Sequence, residues 1–431
     1  FAELRRDLDG EDALRLQLFA DSLSNDRFVS YGFPAAVAAR IGEARLRYDF
    51  DRQWGGVAAR TVLGASLRYT SARDRQSYNS GVIALDRRDL TLGAQANDII
   101  DSPFSPDAPG TIGLAWESDL TSTIANTGLF AYSDLAHGPL HLLAGGRFDQ
   151  FNVRSREAGV LAYAPPAGAA NGGRFSWSAS LSWQDDSGVT PYVTYARSHA
   201  LEAGQGGEVP TSLRLSGGWL STSPLEEAGV KSASPRMEAS LGFYRQHRTQ
   251  LNTVGAISVT GTRGEGVELE LRWLLDAHFS ATLAASLQHT FIKGPDRNFT
   301  YVPARSLGVR PEDGFGGSYL VYDFSTLKGP ADYDNSLIPH GVISPALAYS
   351  GGDWGATLAA TWVGETRQTV PDPVVYPSYA TLNASAFVRF GAWEAAVNLD
   401  NVLDARFFTP DADIYANLGA LPGMGRRWRI S

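Results

Sequence analysis

The sequence predicts an all-β fold, a transmembrane antiparallel up-and-down β-barrel, and three observations predict it. Apolar residues alternate with polar or small ones in segment after segment, the period of a strand with two unlike faces. Many of these segments run to ten or more residues, enough to cross a bilayer when tilted and longer than most strands of soluble proteins. Short and long connections take turns between them, as expected where tight turns close one end of a barrel and loops the other.

The clearest patterns lie toward the C-terminus. Phe279, Ala281, Leu283, Ala285 and Leu287 share one face, and Ser280, Thr282, Ala284, Ser286 and Gln288 the other. Trp354, Ala356, Leu358, Ala360 and Trp362 oppose Gly355, Thr357, Ala359 and Thr361. In Ser378 to Phe390, Ala380, Leu382, Ala384, Ala386 and Val388 oppose Tyr379, Thr381, Asn383, Ser385, Phe387 and Arg389. One face of each suits lipid and the other a wet or plugged lumen.

From the start of the chain, Ala2 and Leu4 alternate with Glu3 and Arg5, and a turn rich in Asp and Gly follows at 7–12, so the sequence opens within a hairpin. Leu14, Leu16 and Leu18 mark a strand at 13–23, and Ala44, Leu46, Tyr48 and Phe50 mark the next. Further strands are expected at 58–70, 125–135, 139–152, 174–184, 189–198, 225–233, 237–248, 264–275, 279–292, 341–350, 353–363, 378–390, 392–401 and 424–431, about 16 in all. Short turns are expected near 7–12, 51–57, 136–138, 185–188, 234–236, 276–278, 351–352 and 391. Long connections are expected at 24–41, 71–124, 153–173, 199–223, 249–263, 293–340, 364–377 and 402–423. Trp54, Trp183, Trp354 and Trp393 fall at or near the short-turn ends, where an aromatic belt belongs.

Composition removes several classes. Cysteine is absent, so there is neither a disulfide framework nor a thiolate metal site. No run of eighteen apolar residues occurs, which excludes transmembrane helices but not an alternating barrel. A net charge of −9 argues against a nucleic-acid partner. His137, His141, His199, His247, His278, His289 and His340 show no ligand spacing, and the Asp411/Asp413 pair has too few oxygen neighbours for calcium, so no metal site and no cofactor are expected. No nucleophile elbow appears, and the serines of 174–184 line a polar face, so no catalytic residues are assigned and the chain is not read as an enzyme.

An ordered set of motifs then resembles the barrel of TonB-dependent outer-membrane receptors. Asn126-Thr127-Gly128-Leu129-Phe130-Ala131 and Gly145-Gly146-Arg147-Phe148-Asp149 are similar to that family's N-x-G-x-F-A and G-G-x-R-x-D strands. Glu227-Ala228-Gly229-Val230-Lys231, Gly242-Phe243-Tyr244 and Gly264-Glu265-Gly266-Val267-Glu268-Leu269-Glu270 resemble its E-x-G-x-K, F-Y and G-V-E-L-E strands. Asn398-Leu399-Asp400-Asn401-Val402-Leu403-Asp404 with Phe407-Phe408, and Gly425-Arg426-Arg427-Trp428, resemble its closing strands.

The resemblance implies a 22-stranded plugged barrel in the bacterial outer membrane, of which residues 1–431 form the C-terminal part, with the N-terminal plug and about six first strands not present in this sequence. It implies uptake of a scarce solute, a ferric siderophore or other small-molecule ligand, driven by the TonB–ExbB–ExbD complex acting on the plug, in contact with outer-membrane lipid and lipopolysaccharide. The haem branch's motifs are missing from the region from Tyr195 to Pro224, which disfavours haem. Loop aromatics and cations able to stack on and neutralise a chelate are Arg73, Arg75, Tyr78, Trp219, Tyr301, Arg305, Arg310, Tyr319, Tyr322, Arg367 and Tyr376. The competing readings are a passive porin, an outer-membrane enzyme and a soluble all-β protein; connections of about fifty residues at 71–124 and 293–340 count against the porin.

Overall fold

Twelve strands carry the chain to Lys293: β1 (Ala2–Asp7), β2 (Ala13–Val29), β3 (Phe33–Trp54), β4 (Val57–Gln76), β5 (Ser118–His137), β6 (Leu140–Glu157), β7 (Ala167–Trp183), β8 (Val189–Leu201), β9 (Leu220–Ala233), β10 (Met237–Asn252), β11 (Ser258–Leu274) and β12 (Phe279–Lys293). The strands Gly341–Ser350, Trp354–Val363, Tyr379–Phe390, Trp393–Asp400 and Arg427–Ile430 continue the same up-and-down course. The computed structural model describes residues 1–8, 12–29, 33–76, 118–159, 166–204, 207–211, 219–252, 258–293, 300–303, 308, 310, 318–321, 332–334, 338–368, 374–410 and 420–431. Among them no helix is long and apolar enough to cross a membrane.

The chain divides into two compact units. The first comprises Phe1–His137, Leu143–Ser178 and Ser198–Thr222. In it, β1 to β5 pair antiparallel in sequence order, and the register lines up Leu4, Leu16, Leu46, Ala65 and Leu129 in one row across the five strands. The neighbouring row, on the opposite face, is polar or small: Gln17, Arg45, Ser66 and Gly128. Slipping any strand by one residue would exchange these faces, so the apolar row fixes the register. Leu67 and Leu129 on the apolar face remain about 60% exposed, which suits contact with hydrocarbon and not with water.

The second unit comprises Gly138–Leu142, Ala179–Arg197 and Ser223–Ser431. Here a single apolar row runs through eight strands, from Met237 and Trp273 through Ala281, Leu347, Leu358 and Ala384 to Leu399 and Trp428. The adjoining row, polar or small, joins Ala233, Glu238, Arg272, Thr282 and Ala346.

Short turns close one end of each hairpin. Gly55 and Gly56 link β3 to β4 with φ of +55° and +86°, a two-residue turn whose positive φ at both positions matches the strand twist and which a side chain would strain. Trp54, Trp183, Trp354 and Trp393 all sit at strand ends beside such turns, largely exposed, as the aromatic belt requires.

At the other end the strands run further than the sequence predicts. β4 reaches Gln76 instead of residue 70, β5 starts at Ser118 instead of 125, and β2 and β3 continue to Val29 and Phe33. The long connection expected at 24–41 is therefore a correction: it is the tip of one hairpin, and short and long connections do not alternate there. Beyond the apolar band both faces of a strand meet water, so pairing persists while hydropathy alternation disappears. Short strand pairs also form within three expected loops: Thr300–Pro303 with Ser318–Val321, Thr366–Gln368 with Val374–Tyr376, and Phe408–Pro410 with Ala420–Pro422. Pieces of three or four residues are too short to display a period.

Candidate ligand-binding site

The polar face of the first unit carries a covering segment at its long-connection end. After β8 comes a segment described at residues 202–204 and 207–211, fastened by Glu202 N donating to Trp219 O (3.0 Å) and Gly204 N to Glu208 O (2.8 Å). Its apex docks on the wall at Ser122, which is fully buried: Val209 N donates to Ser122 Oγ at 2.9 Å, and Ser155 Oγ lies 3.0 Å away. Val209, Glu208 and Thr211 are buried with it. Small inward residues of the strands, Ala39, Ala72 and Ser122, leave the depth into which the segment fits.

Beside this segment the same face forms a cleft of about 720 Å³. Its polar groups come from three strands of the β2–β5 wall: Asp21 on β2, Arg68 and Thr70 on β4, and Asn126 on β5. Arg68 faces Asn126 across the β4–β5 ladder, and Thr70 faces Ile124. Ile41, Ile124, Phe151 and Leu201 supply apolar wall. Arg68 is exposed, and Asn126 holds a buried Oδ1 with no hydrogen-bond partner among the described residues. The cleft thus offers a cation, an amide, a hydroxyl and a carboxylate against apolar walls, the mixture that orients a compact, partly polar ligand.

A family model described as TonB dependent receptor-like, beta-barrel matches residues 3–402. The chain belongs to that family. No curated protein matches it in sequence. Among solved structures, the ferric citrate transporter FecA in its unliganded form superposes with a TM-score of 0.73 at 13% identity, covering 99% of this chain and 60% of FecA. The siderophore receptor PiuA from Acinetobacter baumannii gives 0.70 at 14% identity, with 99% and 62% covered. The copper transporter OprC gives 0.61 at 14% identity, with 97% and 61% covered. At such identities the likeness concerns the fold alone, and the chain spans about three fifths of the length of these transporters. The protein is an outer-membrane β-barrel, its apolar face toward lipid, its polar face toward the lumen, its short turns periplasmic and its longer connections extracellular.

Within this TonB-dependent receptor barrel, the motif residues make specific contacts. Arg147 binds Asp149 through both carboxylate oxygens and reaches Ser66 Oγ at 2.8 Å; a Cβ on Gly128 would fall 2.0 Å from its Nη2. Tyr192 donates its hydroxyl to Glu227, and Lys231 lies over the Tyr192 ring at 5.0 Å. Gly229 leaves the space that ring needs, since a Cβ there would meet the ring at 2.8 Å and the Leu241 carbonyl at 2.4 Å. Asn401, with φ of +49°, accepts from Ala405 N and donates to Ala405 O and Met424 O, closing the base of the last extracellular connection. On the periplasmic side Asp12, in the first turn, accepts from Tyr48 and from both terminal nitrogens of Arg52, which hold its carboxyl down at about 2.

The residues singled out from sequence are distributed differently from the cleft. Arg73 and Arg75 stand on the outward rows of β4, and Arg73 is engaged bidentately by Asp119 at 2.7 and 2.6 Å. Trp219 is buried against Gly172 and the covering segment, so it packs where the sequence suggested an exposed loop aromatic. Arg367 and Tyr376 come together on one small hairpin of the second unit, Arg367 bound to Glu365 at 2.8 Å and Tyr376 buried. Arg310 is exposed. Tyr301 and Tyr319 lie on the paired strands Thr300–Pro303 and Ser318–Val321. Tyr78, Arg305 and Tyr322 lie outside the described residues. Sequence reasoning missed Asp21, Arg68 and Asn126 because it searched loops; their signal was inward parity within the strands predicted at 13–23, 58–70 and 125–135. Among the described residues no three His, Cys, Asp or Glu side chains group as metal ligands.

Proposed function

We propose that this barrel is part of an outer-membrane active-transport receptor that binds a scarce solute, an iron–siderophore complex, from outside and imports it with energy delivered by TonB–ExbB–ExbD through the receptor's plug. The observation that carries the proposal is the lumenal cleft beside Ala203, Gly204 and Gly207, with Arg68, Asn126 and Asp21 set among apolar walls. Its volume, about 720 Å³, lies in the range of small-molecule sites, and it lies toward the extracellular end, where an incoming chelate arrives first. Arg68 supplies charge-assisted hydrogen bonds to an anionic chelate, the Asn126 amide pairs with its donors, and Phe151 and Ile124 cover its apolar parts. The names of FecA and PiuA fit an iron chelate, while the name of OprC shows that copper is carried on the same fold.

The test uses the full-length receptor with a panel of ferric citrate, hydroxamate and catecholate chelates, followed by quenching of tryptophan fluorescence and by growth under iron limitation. One chelate should bind, and Arg68→Glu should weaken it by at least about tenfold, the worth of one hydrogen bond to a charged group. If no chelate binds and the purified protein conducts ions freely, the passive porin replaces this reading.

A further inference from the structure

The cleft beside Ala203, Gly204 and Gly207 carries a charge balance that narrows what it can hold. Among the described residues, the charged side chains lining it are Asp21 and Arg68, one of each sign. They are not partners. The register places Asp21 in the row of Ile41 and Thr70, and Arg68 one row nearer the periplasm, with Glu43 and Phe19. Two strands at ~4.8 Å and two residues at ~3.4 Å set the Cα positions of Asp21 and Arg68 about 12 Å apart. Glu43, the acid opposite Arg68 on the ladder, is bound instead by Arg45 at 2.7 Å, and neither Arg68 nor Asp21 makes an ion pair among the described residues. Asp21 is exposed; its Oδ1 accepts from Ser22 N at 2.8 Å, which holds the carboxylate in place and leaves Oδ2 for a ligand.

A second carboxylate lies behind the wall. Glu208 is buried, and a Cβ on Gly204 would fall 1.5 Å from its Oε1, so this acid lies against a residue that lines the cleft. One guanidinium therefore stands against one facing carboxylate and one buried beside it. Such a wall has no surplus of positive charge to offset a polyanion, and its carboxylates repel one. Ferric tris-catecholates and ferric citrates are polyanions. A ferric trihydroxamate is not: its three deprotonated hydroxamates cancel the charge of the ferric ion, while their oxygens still accept hydrogen bonds from a guanidinium. The remaining lining, including Leu23, Ile41, Ile124, Phe151 and Leu201, is apolar and suits the methylene spacers between hydroxamates.

Resting on the reading of this cleft as the chelate site, we propose that Asp21 is an ammonium subsite and that the cargo is a neutral ferric hydroxamate carrying a primary ammonium arm. Arg68 meets hydroxamate oxygens at one side of the cleft, and Asp21 Oδ2 accepts from the ammonium at the other. A chelate without the arm leaves the Asp21 carboxylate facing apolar ligand surface, stripped of part of its water with nothing in exchange.

The experiment titrates the purified full-length receptor in detergent, by isothermal calorimetry, with a linear ferric trihydroxamate ending in a primary amine, the same chelate N-acetylated, and a ferric tris-catecholate. Acetylation deletes the ammonium and leaves the iron centre alone. Wild type should bind the amine form at least about tenfold more tightly than the acetylated form, the worth of one hydrogen bond to a charged group, and should bind the catecholate more weakly than either. In Asp21→Asn the two hydroxamates should bind alike, and Asp21→Glu, which keeps a carboxylate, should retain part of the preference. Heat-modifiable migration reports whether each variant folds; should Asp21→Asn fail to fold, the comparison of amine and acetylated forms on wild type decides. Equal affinity for the two hydroxamates in wild type, a preference that survives in Asp21→Asn, or tighter binding of the catecholate overturns the ammonium subsite, and the cleft reading then stands if Arg68→Glu still weakens the chelate that binds. If no chelate of any class binds, or Arg68→Glu changes none of them, the cleft is not the chelate site and the subsite falls with it.

Discussion

Placing one arginine on the lipid face, and a second one residue away on the lumen face, tests the assignment of the two surfaces. Leu283 lies on β12 in the row Ala239, Leu271, Leu283, Pro345, four residues from Phe279 at the periplasmic end and four from Leu287, the last aliphatic residue of that face. A strand rises about 3.3 Å per residue, and a tilt of about 40° leaves about 2.5 Å of height per residue. Leu283 therefore stands about 10 Å above Phe279, near the middle of an apolar band about 25 Å tall. Leu283→Arg should cost roughly 2–4 kcal/mol, the cost of a cation at the bilayer midplane. Thr282→Arg projects to the lumen beside Arg272 and opposite Ala346, where water solvates it, and should cost no more than about 1 kcal/mol. The assay is urea unfolding from phospholipid vesicles, followed by tryptophan fluorescence and by heat-modifiable migration. Equal costs at the two positions, or a larger cost at Thr282, would refute the assignment of faces.

Three further substitutions probe the motifs. Asp12→Asn removes the carboxylate that Arg52 and Tyr48 hold; because the folded carboxyl sits at about 2 against an ordinary 3.8, wild type should exceed the variant in stability by a constant margin above about pH 4, and that margin should fall as pH drops toward 2. A margin in the urea midpoint that ignores pH would contradict the ion-pair explanation. Gly229→Ala should destabilise by about 1–3 kcal/mol through collision with the Leu241 carbonyl and the Tyr192 ring, whereas Gly264→Ala, with open space around the new methyl group, should be neutral or mildly stabilising. Equal melting shifts for the pair would count against that close approach. Asn401→Gly keeps the positive φ but deletes three side-chain hydrogen bonds, so it should cost about 1–3 kcal/mol and admit protease at the last extracellular connection; an unchanged cleavage rate would sink that role.

The barrel wall was legible in the sequence because two different solvents meet its two faces. Leu16 and Leu46 read as apolar-face residues before any register is known, and the ladder joins them to Ala65 and Leu129. The same code fell silent past Tyr69, where Arg73 and Asp74 put polar groups on both faces, and so the extracellular extension of β4 and the β2–β3 hairpin tip were misread as loop. The cleft was less legible. It depends on residues 207–211 packing onto Ser122, through a contact between Val209 and Ser122 that is 87 residues apart in sequence and for which no local pattern exists. Trp219 looked like a ligand-stacking residue by type, yet its ring fills space over Gly172, because a large aromatic beside a glycine gains more from burial than from exposure. The ligating candidates that the structure brings together, Arg68 and Asn126, lie on strands in the upper lumen and carry no loop signature.

The most direct measurement is uptake of radiolabelled iron, presented as the chelate that the full-length receptor binds, by cells that make the wild-type receptor or its Arg68→Glu variant, with and without functional TonB. Accumulation that requires TonB and drops at least about tenfold in the variant is the predicted result. Entry that proceeds equally without TonB and is unaffected by Arg68→Glu would contradict an energised receptor whose lumenal cleft selects the cargo.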